Sequence, residues 1–174
     1  MKRLLTTLVI LTGLIGSAGA VWADAQSDFD KGLAAYKVSK HTEAVKWWRT
    51  AAKQGDAVAQ VNLGWMYAQG NGVTQDYAEA VKWWRKVAEQ GHKHAQIKLG
   101  VMYKEGNGVT QDTIAAHMWF NIAAKNRSSE WSIDIVEEAA NHRDIVAKKL
   151  SAEQLEKAKK RAKRCMSSGH KECD

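Results

Sequence analysis

Residues 57–128 consist of one 36-residue unit written twice, and this repeat restricts the possible folds more than any other feature. Of the 36 positions in 57–92, 16 are identical in 93–128. The longest shared segment is Gly-Asn-Gly-Val-Thr-Gln-Asp, which runs from Gly70 to Asp76 and again from Gly106 to Asp112. Repeats of roughly 20–50 residues are typical of solenoids, in which neighbouring units must stack to bury their apolar faces. The sequence therefore predicts a stack of similar supersecondary units.

Each unit has the pattern of a helix–loop–helix hairpin. Leu63 and Tyr67 belong to an apolar stripe at helical spacing, which predicts a first helix, called helix A. Gly70 follows this stripe, at a place where a left-handed cap favours glycine. Asp76 precedes a second periodic run, called helix B, and Glu79 three residues later predicts a capping box. The unit is thus two antiparallel helices joined by a glycine-containing loop.

Two glycines lie inside the predicted A helices. Gly64 and Gly100 occupy equivalent positions, and glycine in a helix interior costs about 0.5–1 kcal/mol relative to alanine. We expect a bulky side chain of helix B, Trp83 or Trp119, to pack closely against these glycines and offset that cost.

The shared positions form the pattern A-x3-L-G-x-M-Y-x2-G-x-G-V-x2-D-x3-A-x2-W-[WF]-x3-A, which resembles the Sel-1-like repeat, a relative of the tetratricopeptide repeat. The resemblance implies an all-α fold, an α-solenoid of antiparallel helix pairs wound as a right-handed superhelix. It also implies a protein-binding scaffold and no particular reaction. The positions that carry the pattern are Gly64, Tyr67, Gly70, Gly72, Asp76, Ala80 and Trp83 in the first copy, and Gly100, Tyr103, Gly106, Gly108, Asp112, Ala116 and Trp119 in the second.

Residues 1–23 have the pattern of a secretory signal peptide. A basic start is followed by an apolar stretch and a small-residue end, with cleavage expected before Asp24 or, alternatively, after Ala20. No later run of 18 or more apolar residues indicates a membrane span. We therefore expect an exported protein, periplasmic or secreted.

The repeat extends in both directions in altered form. Residues 24–56 are an abbreviated first unit, with helix A at roughly Asp28 to Tyr36 and a shorter loop. Residues 129–174 are a degenerate final pair of helices, the second of which opens with a capping box at Ser151. Terminal repeats are commonly atypical because they cap a stack. The predicted Sel-1-like domain thus covers residues 24–174.

The positive charge is concentrated at the C-terminal end. The formal net charge of the chain is +7, and residues 141–174 carry a surplus of five positive charges. An exported protein with its charge confined to one terminal helix is not typical of nucleic-acid binding. The basic helix at 156–164 is interpreted as a solvated face, or alternatively as a docking surface for an acidic protein or an anionic membrane surface.

The two cysteines, Cys165 and Cys173, flank a predicted turn. Two cysteines in an exported chain favour a disulfide, and their spacing is compatible with one. The spacing also resembles that of a cysteine-rich secreted branch of the family, in which such pairs staple each hairpin. An intermolecular bridge and free thiols are alternatives, as is a zinc site with His170 and a distant ligand such as His142.

No set of residues indicates a reaction. The Gly-Asn-Gly loop lacks the lysine of a phosphate-binding loop. Ser168 and Lys171 match the bare S-x-x-K of penicillin-interacting enzymes without their other motifs. We therefore expect no catalytic residue, cofactor or metal. A hydrolase acting on cell-wall or β-lactam substrates is an alternative that rests on analogy with cysteine-rich relatives.

The resemblance to tetratricopeptide-like stacks implies that the A helices line the concave side, and a protein-binding surface is expected there. Trp65 is its central candidate, since it lies among polar residues and its repeat partner is Val101. The alternative is that Trp65 packs between adjacent A helices. The full candidate set is Asn62, Trp65, Gln69, Lys98, Val101 and Glu105. The favoured function is a periplasmic scaffold for a protein or peptide, and a secreted host-facing or envelope-stress factor is a further alternative.

Overall fold

The computed structural model describes residues 16–125 and 133–173 of the chain, and this part contains eight helices and no strand. The expected all-α class is therefore confirmed. The helices are α1 (Gly16–Lys37), α2 (His41–Lys53), α3 (Ala57–Gln69), α4 (Tyr77–Ala88), α5 (Lys93–Glu105), α6 (Thr113–Lys125), α7 (Ile133–Ala147) and α8 (Ala152–Ser167).

The helices form a stack in which most packing is between neighbours in sequence. The first six helices make three successive hairpins, α1–α2, α3–α4 and α5–α6, and α2 and α4 also pack on the helices that follow them. Both α7 and α8 pack on α6, so that α6 is covered on several sides. Within residues 16–125 and 133–173, no helix has the length and apolarity needed to cross a membrane.

Helix α1 is longer than the sequence predicts. The expected helix began at roughly Asp28, whereas α1 begins at Gly16 and continues through the expected cleavage point before Asp24. Ala25 is buried, so the residues before Asp28 already contribute to packing. Residues 1–15, which hold most of the expected signal peptide, lie outside the described residues.

The glycines inside the A helices are covered by aromatic rings, but the expected partners were wrong. A Cβ atom added to Gly64 would collide with the indole of Trp84, and one added to Gly100 would collide with the ring of Phe120. Trp84 lies one position after Trp83, and the rotation of helix α4 turns Trp84 towards α3. The Trp84 indole N–H donates to the carbonyl of Val61 at 3.2 Å, which fixes the ring on the helix backbone.

The loop shared by the two complete units is explained by four specific contacts. Gly70 caps α3 in the left-handed region at φ 71°. Gly72 lies against the backbone of His41, where a side chain would collide. The side-chain amide of Gln75 donates to the carbonyl of Ala68 at 2.8 Å, and the carboxylate of Asp76 accepts from the backbone N–H of Glu79 at 2.9 Å. The second copy repeats these contacts with Gly106, Gly108, Gln111 and Asp112.

The capping box expected at Asp76 and Glu79 is absent. The backbone N–H of Asp76 donates instead to the carbonyl of Tyr67 at 2.9 Å, so it is not available to the Glu79 carboxylate. Glu79 pairs with Lys82 at 3.0 Å. The capping box predicted at Ser151, by contrast, is formed with Gln154.

The end of α8 repeats the turn that joins a B helix to the next A helix. His170 donates its backbone N–H to the carbonyl of Cys165, as His92 does to Val87 at the end of α4. Gly169 and Gly91 both have positive φ, 65° and 89°. This turn brings Cys165 and Cys173 to disulfide distance, with Cα atoms 4.4 Å apart and the two sulfurs joined.

We predict that Gly64→Ala destabilises the protein although alanine is the better helix former. The added methyl group collides with the Trp84 ring, and overpacking of this kind costs about 1–3 kcal/mol. Urea unfolding measures the change in the free energy of unfolding.

The control is a double-mutant cycle with Trp84→Leu. If the collision is the cause, Gly64→Ala should have a much smaller effect in the Trp84→Leu background, because the shorter side chain leaves room for the methyl group. Equal effects in both backgrounds would contradict this explanation.

Candidate binding surface on helices α3 and α5

Three of the six candidate residues lie on the side of α3 away from its buried stripe. Trp65 is 36% exposed, Gln69 is exposed and Asn62 is half-buried. The buried stripe of the same helix contains Leu63 and Met66, both fully inaccessible. Because α3 presents its apolar residues to α2 and α4, the outer face is left to Trp65 and its polar neighbours.

Trp65 is partly packed and keeps 36% of its surface exposed. Its ring meets Tyr36 of α1 edge-on, with ring centroids 6.1 Å apart. The ring centroid of Tyr36 lies 5.5 Å from that of Trp48 and 5.2 Å from that of His41. Trp65 therefore fits both sequence-based interpretations, since it touches the adjacent A helix and also presents apolar surface to solvent. A ring positioned in this way loses little conformational entropy on binding, which is a property of interface anchors.

The other three candidates lie on α5 and differ from one another. Lys98 is half-buried, and Glu105 is exposed, with its carboxylate 3.5 Å from Lys104 and 3.1 Å from the side-chain amide of Asn107. Val101 is partly buried against the apolar clusters that contain Met102 and Phe120. Val101 thus contributes to packing, and Lys98 and Glu105 supply the polar groups of this face.

Two histidines near Lys98 affect the charge of the α5 face. Burial lowers the pKa of His94 from its usual value, the Lys98 cation lowers it further, and Glu138 of α7 opposes the shift. Burial also lowers the pKa of His92, with a smaller effect of His94. Both imidazoles are therefore mainly neutral at neutral pH, and they add little to the positive charge of Lys98.

A neighbouring surface at the α1–α2 junction escaped the sequence analysis. Val38 is 64% exposed, and the Lys31 ammonium lies 4.5 Å from the centre of the Trp47 ring. These three residues help to line a shallow cavity of about 370 Å³. The missing Gly-Asn-Gly-Val loop of the first unit was the available signal, because it marks this junction as different from those of the two complete units.

The alternative sites at the C-terminal turn have structural roles. The disulfide uses both thiols that a zinc site with His170 would need, and His142 stacks on Phe120 with ring centroids 5.0 Å apart. The Ser168 hydroxyl donates to the carbonyl of Cys165 at 2.9 Å and accepts from the backbone N–H of Glu172 at 3.0 Å. Ser168 thus stabilises the turn that carries the disulfide.

Comparison with protein families identifies the repeat. The model of the Sel1 repeat matches residues 30–56, 57–92 and 93–128. These three matches correspond to the hairpins α1–α2, α3–α4 and α5–α6. No curated protein matches the chain.

Two solved structures show the same helical repeat. The protein c5321 of uropathogenic Escherichia coli, described as a protective antigen displaying an SLR fold, is 38% identical with a TM-score of 0.70. That match covers 80% of this chain but only 29% of c5321, so this chain spans less than a third of its length. A Sel1 repeat protein from Oxalobacter formigenes is 29% identical with a TM-score of 0.60, over 75% of this chain and 93% of the other.

The positions of the tryptophans predict a large difference between two substitutions. Trp65→Ala should lower the free energy of unfolding by about 1–2 kcal/mol, because the residue is already 36% exposed. Trp84→Ala should lower it by about 3–5 kcal/mol, because the ring is 2% exposed and covers Gly64. Chemical denaturation of both variants checks this, and similar losses would show that Trp65 belongs to the core.

Proposed function

The chain belongs to the Sel1 repeat family, and we propose that it is an exported, non-catalytic scaffold that binds a protein or peptide through the outer faces of α3 and α5. Sel1 repeats generally mediate protein interactions. The observation that carries the proposal is the exposed indole of Trp65, which is held by Tyr36 and flanked by polar residues of α3. An aromatic anchor surrounded by polar groups is the composition of an interface centre and its rim.

The two faces offer different kinds of contact. The α3 face supplies an apolar anchor, Trp65, with the hydrogen-bonding amide of Gln69 beside it. The α5 face supplies a cation, Lys98, and a carboxylate, Glu105. In this proposal the A helices line the concave side of the solenoid, so that an extended segment of the partner contacts both faces. The complementary partner presents an apolar side chain to α3 and a carboxylate to Lys98.

Export is supported by the disulfide between Cys165 and Cys173, since such bonds persist in oxidising compartments. In this proposal the signal peptide is removed before Asp24 and the scaffold remains in the periplasm. Cleavage there keeps Ala25, which is buried, and Phe29, which packs against Trp48. The mature protein thus retains these two packed residues of α1.

Crosslinking in cells tests the binding proposal. Trp65→Ala is expected to reduce capture of a specific partner at least tenfold, since an interface anchor contributes about 2 kcal/mol or more. Lys98→Ala is expected to reduce capture less. Mass spectrometry of the crosslinked material measures both effects.

The matched controls remove similar side chains elsewhere. Ile145→Ala removes an apolar side chain that is 54% exposed on α7, and Lys163→Ala removes an exposed cation on α8. Both controls should capture the partner as the unaltered protein does. Full capture by Trp65→Ala, or an equal loss with Ile145→Ala, would overturn the assignment of this face.

The mass of the intact protein in cell fractions tests the export proposal. We expect a periplasmic species that begins at Asp24 and lacks two hydrogens relative to the dithiol form. If the protein is found mainly in the culture medium, the second candidate, a secreted factor, is favoured. This candidate is supported by the similarity to the antigen c5321. An uncleaved protein with free thiols would contradict both.

A further inference from the structure

Two of the positions at which the third B helix departs from the first two carry polar replacements on one face of the helix. The buried valines Val45 and Val81 are replaced by His117 at the equivalent position of α6. The position of Arg49 and Arg85 is taken by Asn121. On one face of α6, a buried core position and a position that forms a hydrogen bond to the next helix in the earlier units have therefore both changed.

The change at Asn121 removes a contact that the first two units share. Arg49 donates to the hydroxyl of Tyr67 at 2.9 Å, and Arg85 donates to the hydroxyl of Tyr103 at 2.5 Å, in each case on the following A helix. Helix α7, which follows α6, contains no tyrosine. The arginine–tyrosine pair that links the earlier units is therefore absent between α6 and α7.

The two replacements are polar and almost inaccessible. His117 is 3% exposed and Asn121 is 4% exposed. The Nδ1 atom of His117 is buried without a hydrogen-bond partner among the described residues. A buried polar atom in this condition costs about 1–3 kcal/mol, which a ligand that pairs with it can recover.

His117 and Asn121 lie at the inner end of a cavity of about 290 Å³ between α6, α7 and α8. Lys125, Arg143, Asp144 and Lys159 line the same cavity. Arg143 has 29% of its side chain exposed, whereas Asp144 and Lys159, at 62% and 50%, lie further out. The lining thus carries three cations and one carboxylate, and the buried polar side chains of His117 and Asn121 lie at the inner end of the cavity.

The electrostatics of the cavity favour an anion. Burial lowers the pKa of His117, and the Arg143 and Lys159 cations lower it further, against the weaker opposing effect of Asp144. These effects indicate that the positive charges of Arg143 and Lys159 act on His117 at the inner end of the cavity. Asp144 accepts a hydrogen bond from Nε of Arg143 at 2.7 Å and Glu156 accepts one from Nζ of Lys159 at 2.8 Å, so the three cations of the lining exceed these two carboxylates by one positive charge.

We propose that this cavity binds a small organic carboxylate, whose charge is held by Arg143 and Lys159 and whose inner end contacts His117 and Asn121. The volume is near the lower limit of about 300–1,000 Å³ for small-molecule sites, so the ligand is small. A guanidinium matches the two oxygens of a carboxylate in its geometry. This site is separate from the protein-binding faces of α3 and α5.

The test is an NMR titration of the full chain with succinate, with sodium chloride at equal ionic strength as the reference. Succinate is expected to shift the His117 imidazole and Asn121 side-chain amide resonances in a saturable way. It should also raise the pKa of His117, because a bound anion stabilises the imidazolium. Inorganic phosphate is titrated in parallel, and binding of phosphate without succinate would overturn the carboxylate assignment.

Charge-matched variants separate a specific site from general attraction. Arg143→Gln should weaken succinate binding roughly tenfold or more, as expected for loss of a charged hydrogen bond. Lys53→Gln makes the same charge change at an exposed residue of α2, which does not pack on α6, α7 or α8, and should leave binding within about twofold. Equal weakening in both variants, or shifts equal to those with chloride, would show an ionic-strength effect only and overturn the proposal.

A third variant tests whether misfolding could explain a loss of succinate binding. His117→Val restores the residue that the first two units have at this position, so it should fold with at least the original stability. It should nevertheless lose the saturable response to succinate at Asn121. Unchanged binding in His117→Val would place the ligand elsewhere.

Discussion

The stack depends on the packing of an aromatic ring against the backbone of a neighbouring helix at a glycine. Each of the three hairpins has a glycine in its A helix beneath a ring of its B helix, and the pairs are Gly32 with Trp48, Gly64 with Trp84 and Gly100 with Phe120. In the first two, the indole N–H also donates to a carbonyl three residues before the glycine. This arrangement satisfies the indole N–H and buries a large apolar surface without separating the two helices.

The identical loops follow from this close packing. Because the helices of a hairpin lie close together, the loop that joins them runs back along the preceding unit. Gly72 meets the backbone of His41 at the start of α2, and Gly108 meets that of Tyr77 at the start of α4. A side chain at either glycine would force successive units apart. Glycine is therefore favoured at both places, and backbone contact at Gly72 and Gly108 sets the spacing between units.

Most of the fold could be predicted from the sequence because the repeat marks equivalent positions. The predictions that were wrong concern local features that depend on a contact between residues distant in the sequence. Trp83 and Trp84 are adjacent and identical, and only the rotation of α4 distinguishes the ring that covers Gly64. The capping box at Asp76 fails because a carbonyl nine residues earlier takes its backbone N–H. The α6 cavity was missed because it depends on how α7 and α8, which do not follow the repeat, pack on α6.

The order of packing along the chain has a consequence for how the molecule forms. From α1 to α6 each helix packs mainly on its neighbours in sequence, so the contact order of this part is low and loop closure costs little entropy. A chain of this kind can fold progressively from its N-terminal end, each hairpin using the one before it as a template. The packing of α8 on α6 is the main exception, since it must wait until α7 has emerged. Closure of the C-terminal end is therefore expected to be the last step in assembly.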